Sequence, residues 1–137
     1  MSDWRNLIRV GLVSSVNREA GTARVTFPDK TDQVTADLPV LVPTTQQAHY
    51  ITFPQVGETA VCLFLGNGIQ TGFILGALYT DQNPPPAVEP SAHGVWFPDG
   101  SHVYYDPTAG TLHLKASSHV HIEGNLVVTG TVTQGGS

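Results

Sequence analysis

Histidine is the residue type that most directly suggests chemistry in this sequence. The segment His119-Val120-His121 has the spacing of a metal-binding pair. Three copies of it would supply six imidazole nitrogens, enough for an octahedral first-row metal ion. Side chains alternate along a strand, however, so if Val120 and Ile122 face an interior, both histidines face solvent. We therefore predict no metal ion and no other cofactor, with His119 and His121 as the candidates should a metal be present.

Enzymatic signatures are missing from the rest of the sequence. His49, His93, His102 and His113 have no cysteine or carboxylate at ligand spacing. We find neither the paired acidic residues of a glycosidase cleft nor a Gly-x-Ser-x-Gly elbow. The single cysteine, Cys62, lies in an apolar run and is interpreted as a small buried hydrophobe. The sequence thus predicts no catalytic residue and a protein that is not an enzyme.

Charge is scarce and unevenly placed. The formal net charge is −5, and five of the six basic residues fall within the first thirty positions. No lysine or arginine occurs between Thr31 and Leu114. Nucleic-acid binding depends on cations that neutralise phosphate charge. We therefore predict no nucleic-acid partner for the body of the chain.

The first 80 residues have the pattern of a small β-barrel. Apolar and polar residues alternate in short runs that are separated by turns rich in Gly, Pro and Asp. The start of the chain, residues 4–9, fits either a helical turn or an extended lead-in. About five strands in this length, joined by hairpins, indicate a Greek-key barrel of the OB type. The predicted strands are residues 10–16, 22–27, 38–43 (an edge or bulged strand, because of its prolines), 59–65 and 71–79.

An OB-type barrel also suggests a second function. Such barrels commonly bind oligonucleotides or oligosaccharides through aromatic and basic side chains. Strand 2 offers Arg24 and Phe27, but the strands that follow it have no cation. We favour core packing for Phe27, Phe64 and Phe73, and keep as the alternative a binding module for these ligands, with the rest of the chain as an oligomerisation stalk.

A proline-rich linker, residues 81–92, separates this barrel from a repetitive second part, residues 93–137. Pro84-Pro85-Pro86 favours extended backbone and removes hydrogen-bond donors. Turns then recur every six to ten residues, as in a β-solenoid or an intertwined β-prism. Strands are predicted over residues 94–97, 101–105 and 111–115. Trp96 and Phe97 lie at the top of this part, with at most one of them pointing inward.

The tail, residues 118–134, has very little apolar surface for each short strand. Its apolar residues alternate with polar ones, and two-stranded elements of this size are marginal in water. A lone tail could not offset the entropy lost on ordering. We therefore predict that it winds against copies of itself or against another chain. The predicted interior residues are Val120, Ile122, Leu126, Val128 and Val132.

Three stretches together resemble the phage baseplate assembly protein V family, the central spike of contractile tails. The first is the segment Gly-Leu-Val-Ser-Ser-Val at residues 11–16, followed by Ala-Arg-Val-Thr-Phe at 23–27. The second comprises Leu-Pro-Val-Leu at 38–41, Pro-Gln-Val-Gly-Glu at 54–58 and Gly-Phe-Ile-Leu-Gly-Ala-Leu-Tyr at 72–79. The third comprises Phe-Pro-Asp-Gly at 97–100, Tyr-Asp at 105–106 and Gly-Asn-Leu-Val-Val-Thr-Gly at 124–130. Their order and spacing carry the resemblance over nearly the whole chain.

The resemblance implies an all-β protein with an N-terminal OB-fold barrel and a C-terminal trimeric intertwined β-helix or β-prism shaft. The five tail residues listed above would then be the trimer core. The implied function is mechanical: a homotrimeric spike pushed through the host outer membrane when the sheath contracts. Implied partners are the baseplate hub, the tail tube and that membrane. The implied location is the virion tail baseplate, after assembly in the host cytoplasm.

Members of this family often end in a His-x-His pair that coordinates iron at the shaft tip. No such pair lies at Thr133-Gln134-Gly135-Gly136-Ser137. A truncated chain, a separate tip protein and a blunt end all remain open. Iron is expected only if the pair at His119 and His121 faces inward or the natural chain is longer. A spike of a bacteriocin-like or secretion apparatus would share the same mechanics.

Overall fold

The computed structural model describes residues 7–28, 33–66 and 68–135, which form two compact units. The units divide between Pro85 and Pro86, inside the segment that the sequence predicts as a linker. Residues 4–6 of the lead-in and residues 29–32, in the turn after the strand predicted at 22–27, lie outside the described residues. Within the described ranges every regular element is a β-strand. No helix there is long and apolar enough to cross a lipid bilayer.

The first unit, called the head, is one six-stranded sheet. The strand order is β3-β2-β1-β5-β6, with β4 also paired to β2, and all these pairs are antiparallel. Val40 forms a parallel bridge with Ile74, and the Leu41 N–H donates to the Ile74 carbonyl at 2.9 Å. This contact joins the β4 side of the sheet to β6 and closes a barrel. The head strands are β1 (Ile8–Asn17), β2 (Thr22–Phe27), β3 (Gln33–Val34), β4 (Leu38–Pro39), β5 (Thr59–Phe64) and β6 (Gly72–Leu78).

The head core lies inside the barrel because period-2 alternation turns one side of each strand inward. Phe27 and Phe64 meet edge to face, with ring centroids 6.1 Å apart. Thr35 is the buried polar residue, and its hydroxyl is satisfied: it accepts from the Val25 N–H at 3.0 Å and donates to the Ala36 carbonyl. The buried apolar residues are Val13, Ala23, Val25, Phe27, Leu38, Ala60, Cys62, Phe64 and Ile74.

Close strand packing at Gly11 leaves no room for a side chain. A Cβ there would lie 2.5 Å from the Thr26 carbonyl oxygen and 2.7 Å from side-chain atoms of Phe27 and Val25. Gly76 on β6 differs, because a Cβ built there meets nothing within 4 Å. The barrel therefore requires glycine at position 11 and not at position 76.

One core prediction is wrong. Phe73 is only partly buried, whereas its neighbour Ile74 is fully buried. The register pairs Phe73 with Leu63, which is also only partly buried, so both belong to the outer face of the sheet. Alternation along β6 allows Phe73 or Ile74 to point inward, and Ile74 takes the interior position. The predictions for Phe27, Phe64 and Cys62 are confirmed by their burial.

The second unit contains a three-stranded antiparallel sheet followed by the tail. The strand order is β7-β8-β9, with β8 in the centre. In the single chain, residues 116–135 form no strand, so the short strands predicted there have no partner within the described part of the molecule. The strands are β7 (His93–Trp96), β8 (His102–Asp106) and β9 (Thr111–Lys115).

Candidate interaction surface

One face of the β7–β9 sheet is apolar across all three strands. The register places Val95 opposite Val103, and Val103 opposite Leu114. The next row pairs Tyr105 with His93 on β7 and with Leu112 on β9. We call this set, with Phe97 one residue beyond β7, the apolar face: Val95, Phe97, Val103, Tyr105, Leu112 and Leu114.

The apolar face is exposed in the single chain. Its side chains range from 41% exposed at Val103 to 61% at Leu112. No residue after Ile74 is among the buried hydrophobic residues of the described chain, so the second unit has no core of its own. A sheet of three strands needs a covered hydrophobic face to be stable. The apolar face is therefore the candidate interaction surface of the second unit.

The tail continues the same pattern. Val120 and Ile122 are 58% and 55% exposed, close to the values of Leu112 and Leu114 on β9. The two adjacent valines differ: Val127 is 84% exposed and Val128 is 48% exposed. All five predicted interior residues are exposed in the single chain, and their role as a trimer core stays a prediction. They are Val120, Ile122, Leu126, Val128 and Val132.

The opposite face of the β7–β9 sheet carries a row of stacked rings. Trp96 and Tyr104 lie 5.4 Å apart between centroids with 23° between their planes, and Tyr104 and His113 lie 4.5 Å apart with 15°. His102 meets Tyr104 edge-on at 5.0 Å. Rings this close and this parallel must face one another, so they stand upright on the sheet. We call this row of Trp96, Tyr104 and His113 the ring ladder.

Two histidines have a packing role that the sequence did not reveal: His113 stacks in the ring ladder, and His102 packs edge-on against Tyr104. Gly94 lies opposite Tyr104, and a Cβ at Gly94 would approach the Tyr104 Cβ to 2.4 Å. Glycine at this position therefore makes space for the Tyr104 side chain. Asp106 and Lys115 lie on the same face by alternation. This face, with its polar and aromatic side chains, is suited to contact with water.

The predicted metal candidates do not meet other ligands. The Ser118 hydroxyl contacts Nδ1 of His119 at 2.7 Å, and Nε2 of His121 lies 4.0 Å from a Glu123 carboxylate oxygen. Both His121 and Glu123 are largely exposed. In the described ranges, no group of three potential metal-ligating side chains comes together. Residues 116–135 form no strand in the single chain, so the expectation that both histidines lie opposite Val120 and Ile122 stays a prediction.

We expect the purified protein to contain well under one iron or zinc ion per three chains. Elemental analysis by mass spectrometry, after preparation without added metal, tests this. The double substitution His119→Ala with His121→Ala serves as the control, because it removes both imidazoles and should leave the metal content unchanged. A stoichiometric metal that is lost in the double variant would restore the metal-site hypothesis.

The head offers no reactive group at its core. Cys62 is fully buried, and burial raises the pKa of its thiol from 9.0 to about 11, while the charge of Arg9 acts in the opposite direction. A thiol with such a pKa is almost entirely protonated near neutral pH and is a poor nucleophile. The Arg9 guanidinium lies 3.8 Å from the Phe27 ring centroid, and Arg24 pairs with Asp37 at 2.8 Å. Arg24, the cation considered for ligand binding, is therefore already paired.

The antiparallel strands of the head, closed by the bridge between Val40 and Ile74, form the kind of barrel expected of an OB domain. Residues 9–79 match the family model described as the type VI secretion system/phage-baseplate injector OB domain, and the chain belongs to this family. The resemblance inferred from the three stretches is thereby confirmed.

One protein similar to this chain is the spike protein of Escherichia phage P2. The two sequences are 30% identical over 129 residues, which cover 93% of this chain and 59% of the relative. The chain therefore spans less than two thirds of the length of this relative. The similarity extends well beyond the OB domain and includes the β7–β9 sheet and the tail.

The sequence interpretation predicted that residues 93–137 assemble but did not name the residues of the apolar face. Its signal was present in the Thr-Leu-His-Leu-Lys segment of β9, where Leu112 and Leu114 alternate with polar residues. The ring ladder was also missed. Its members lie on three different strands, so it becomes visible only once the strand register is known.

Proposed function

We propose that this chain is the structural, trimeric central spike of a phage-type baseplate. In this proposal the head attaches to the baseplate hub and the tail tube. The second unit and tail of three chains form an intertwined β-prism and β-helical shaft that is driven through the host outer membrane. The protein acts without turnover and without a nucleic-acid partner. Its location is the virion tail, after assembly in the host cytoplasm.

The observation that carries the proposal is the uncovered apolar face together with the alternating tail. Full burial of a side chain such as Leu or Val contributes roughly 1.5–3 kcal/mol. In a single chain this gain is missing throughout the second unit, because its apolar residues remain exposed. Three copies around one axis would turn three such faces toward one another and form the missing core. Membership of the injector family and similarity to a phage spike support the same arrangement.

The proposed shaft is mechanically suited to its role. Backbone hydrogen bonds between chains and a continuous apolar core resist bending, and unfolding must separate three wrapped chains at once. Such assemblies are stable kinetically as well as thermodynamically. Charge is scarce in this part of the chain, with one lysine (Lys115) and four acidic residues after Pro86, and this limits like-charge repulsion between closely packed copies.

The native mass tests the proposal. We expect three chains of 14.6 kDa, about 44 kDa, both in solution by light scattering and on unboiled SDS gels. Boiling in SDS should release the single chain. A soluble, folded monomer would overturn the proposal, because the apolar face would then be stable in water.

A further inference from the structure

We propose that the outer edge of β9 is paired, in parallel, by residues 118–122 of a second copy of this chain. The inference rests on the proposed trimer and deepens it, because it names the two segments that meet and the faces they share. Three features of the second unit carry it: the open edge of β9, the course of the chain after β9, and the match of alternation between the two segments.

β9 has one edge that is open within the described chain. Its five residues pair with β8 along their whole length, from Asp106 with Thr111 to His102 with Lys115. No other described strand pairs with β9, which is the last strand of its sheet. An open edge presents unpaired backbone N–H and C=O groups and readily accepts another strand.

The chain leaves β9 without turning back. The Ser117 N–H donates to Oγ of Ser101 at 3.1 Å. Ser101 immediately precedes His102, the partner of Lys115, so the backbone after Lys115 passes the start of β8 and then bends at Ser117 and Ser118. The next glycine with a positive φ angle after Gly110 is Gly124. No described tail residue pairs with β9, which leaves that edge to another molecule.

The alternation of β9 and that of the tail agree. On β9, Leu112 and Leu114 belong to the apolar face and His113 to the ring ladder. In residues 118–122, Val120 and Ile122 alternate with His119 and His121. Side chains of paired strands point to the same face at matching positions. A tail strand on this edge would thus extend the apolar face with Val120 and Ile122, and would place an imidazole beside His113.

A one-residue slip would have the opposite result. It would turn both imidazoles toward the apolar face and expose the two apolar side chains. Only registers that differ by an even number of residues therefore keep the apolar side chains on the apolar face. We propose the parallel direction because, in the proposed trimer, all three chains wind around the threefold axis in the same sense, and the tail follows β9 along each chain without an intervening described strand.

Cross-linking between chains of two sizes tests this pairing. One chain carries His113→Cys and an N-terminal size tag; the other carries either His119→Cys or His121→Cys without a tag, and the two are produced together. After mild oxidation we expect a disulfide-linked band with the summed mass of both chains for at least one of the two pairs. Cys62 does not compete, because it is fully buried.

The matched control combines His113→Cys with Ser118→Cys, whose side chain lies on the opposite face by alternation. We expect at least tenfold less cross-linked product for this pair. A trimer of normal mass in which neither His119→Cys nor His121→Cys exceeds the control would overturn the pairing and leave the proposed spike standing. A fast-migrating single-chain product from one chain carrying His113→Cys and His121→Cys would overturn it as well. An unsubstituted protein that is a monomer in solution would instead refute the proposed function itself.

Discussion

We expect aspartate in place of Val128 to abolish the proposed trimer, and the same substitution at Val127 to leave it intact. In the proposed shaft Val128 faces the axis, so Val128→Asp gathers three carboxylates with no cation near them. The effective cost of burying each unpaired charge is several kcal/mol. Val127 has the opposite orientation by alternation and is 84% exposed even in the single chain. Its aspartate would stay in water.

Native mass and resistance to SDS without boiling provide the measurement for both variants. We expect Val128→Asp to run as a monomer or to aggregate, and Val127→Asp to run as the unsubstituted trimer. The comparison is sharp because the two residues are neighbours of the same type. A Val128→Asp trimer as resistant to heat and SDS as the parent would refute the assigned register, and the reverse pattern would exchange the two faces.

Alanine at Gly11 destabilises the head, whereas alanine at Gly76 has little effect. The added methyl group of Gly11→Ala meets the Thr26 carbonyl at 2.5 Å, and a backbone atom cannot move aside as a flexible side chain can. Overpacking of this kind costs about 1–3 kcal/mol. A methyl group at Gly76 meets no atom within 4 Å.

The thiol of Cys62 reports this effect in the intact protein. It is the single cysteine of the sequence and is fully buried in the head, so a thiol reagent reaches it only when the head opens. With tenfold in population for each 1.4 kcal/mol, we expect labelling of Gly11→Ala to be roughly 5- to 150-fold faster than that of the parent. Gly76→Ala should label at the parental rate. Equal rates for all three proteins would show that the barrel relaxes around the added methyl group.

The barrel strands could be predicted from the sequence because their alternation is strong and their turns are marked. The predicted strand at residues 22–27 has the observed bounds, and those at 10–16, 59–65 and 71–79 differ from the observed strands by at most two residues at either end. The edge strand predicted at 38–43 shortens to Leu38–Pro39 with a bridge at Val40. Its prolines lack the N–H that a longer ladder would need.

The remaining differences come from information that a single sequence does not contain. Alternation shows that Phe73 and Ile74 point to opposite faces but not which face is inside, and closure of the barrel decides this. The ring ladder depends on the register between β7, β8 and β9. The tail residues are predicted to form an assembly surface because their apolar content is too low for independent folding, and this prediction can be made from composition alone.

The uncovered apolar face of β7–β9 also has a kinetic consequence for production of the protein. Association of three chains depends steeply on their concentration, while a head that closes within one chain does not. At low concentration, newly made chains would have a folded head and an unassembled second unit with an exposed apolar face. Chains with exposed apolar surface are prone to aggregate. Yield should therefore rise more than proportionally with the rate of synthesis, up to the point at which every chain finds two others before it meets an unrelated protein.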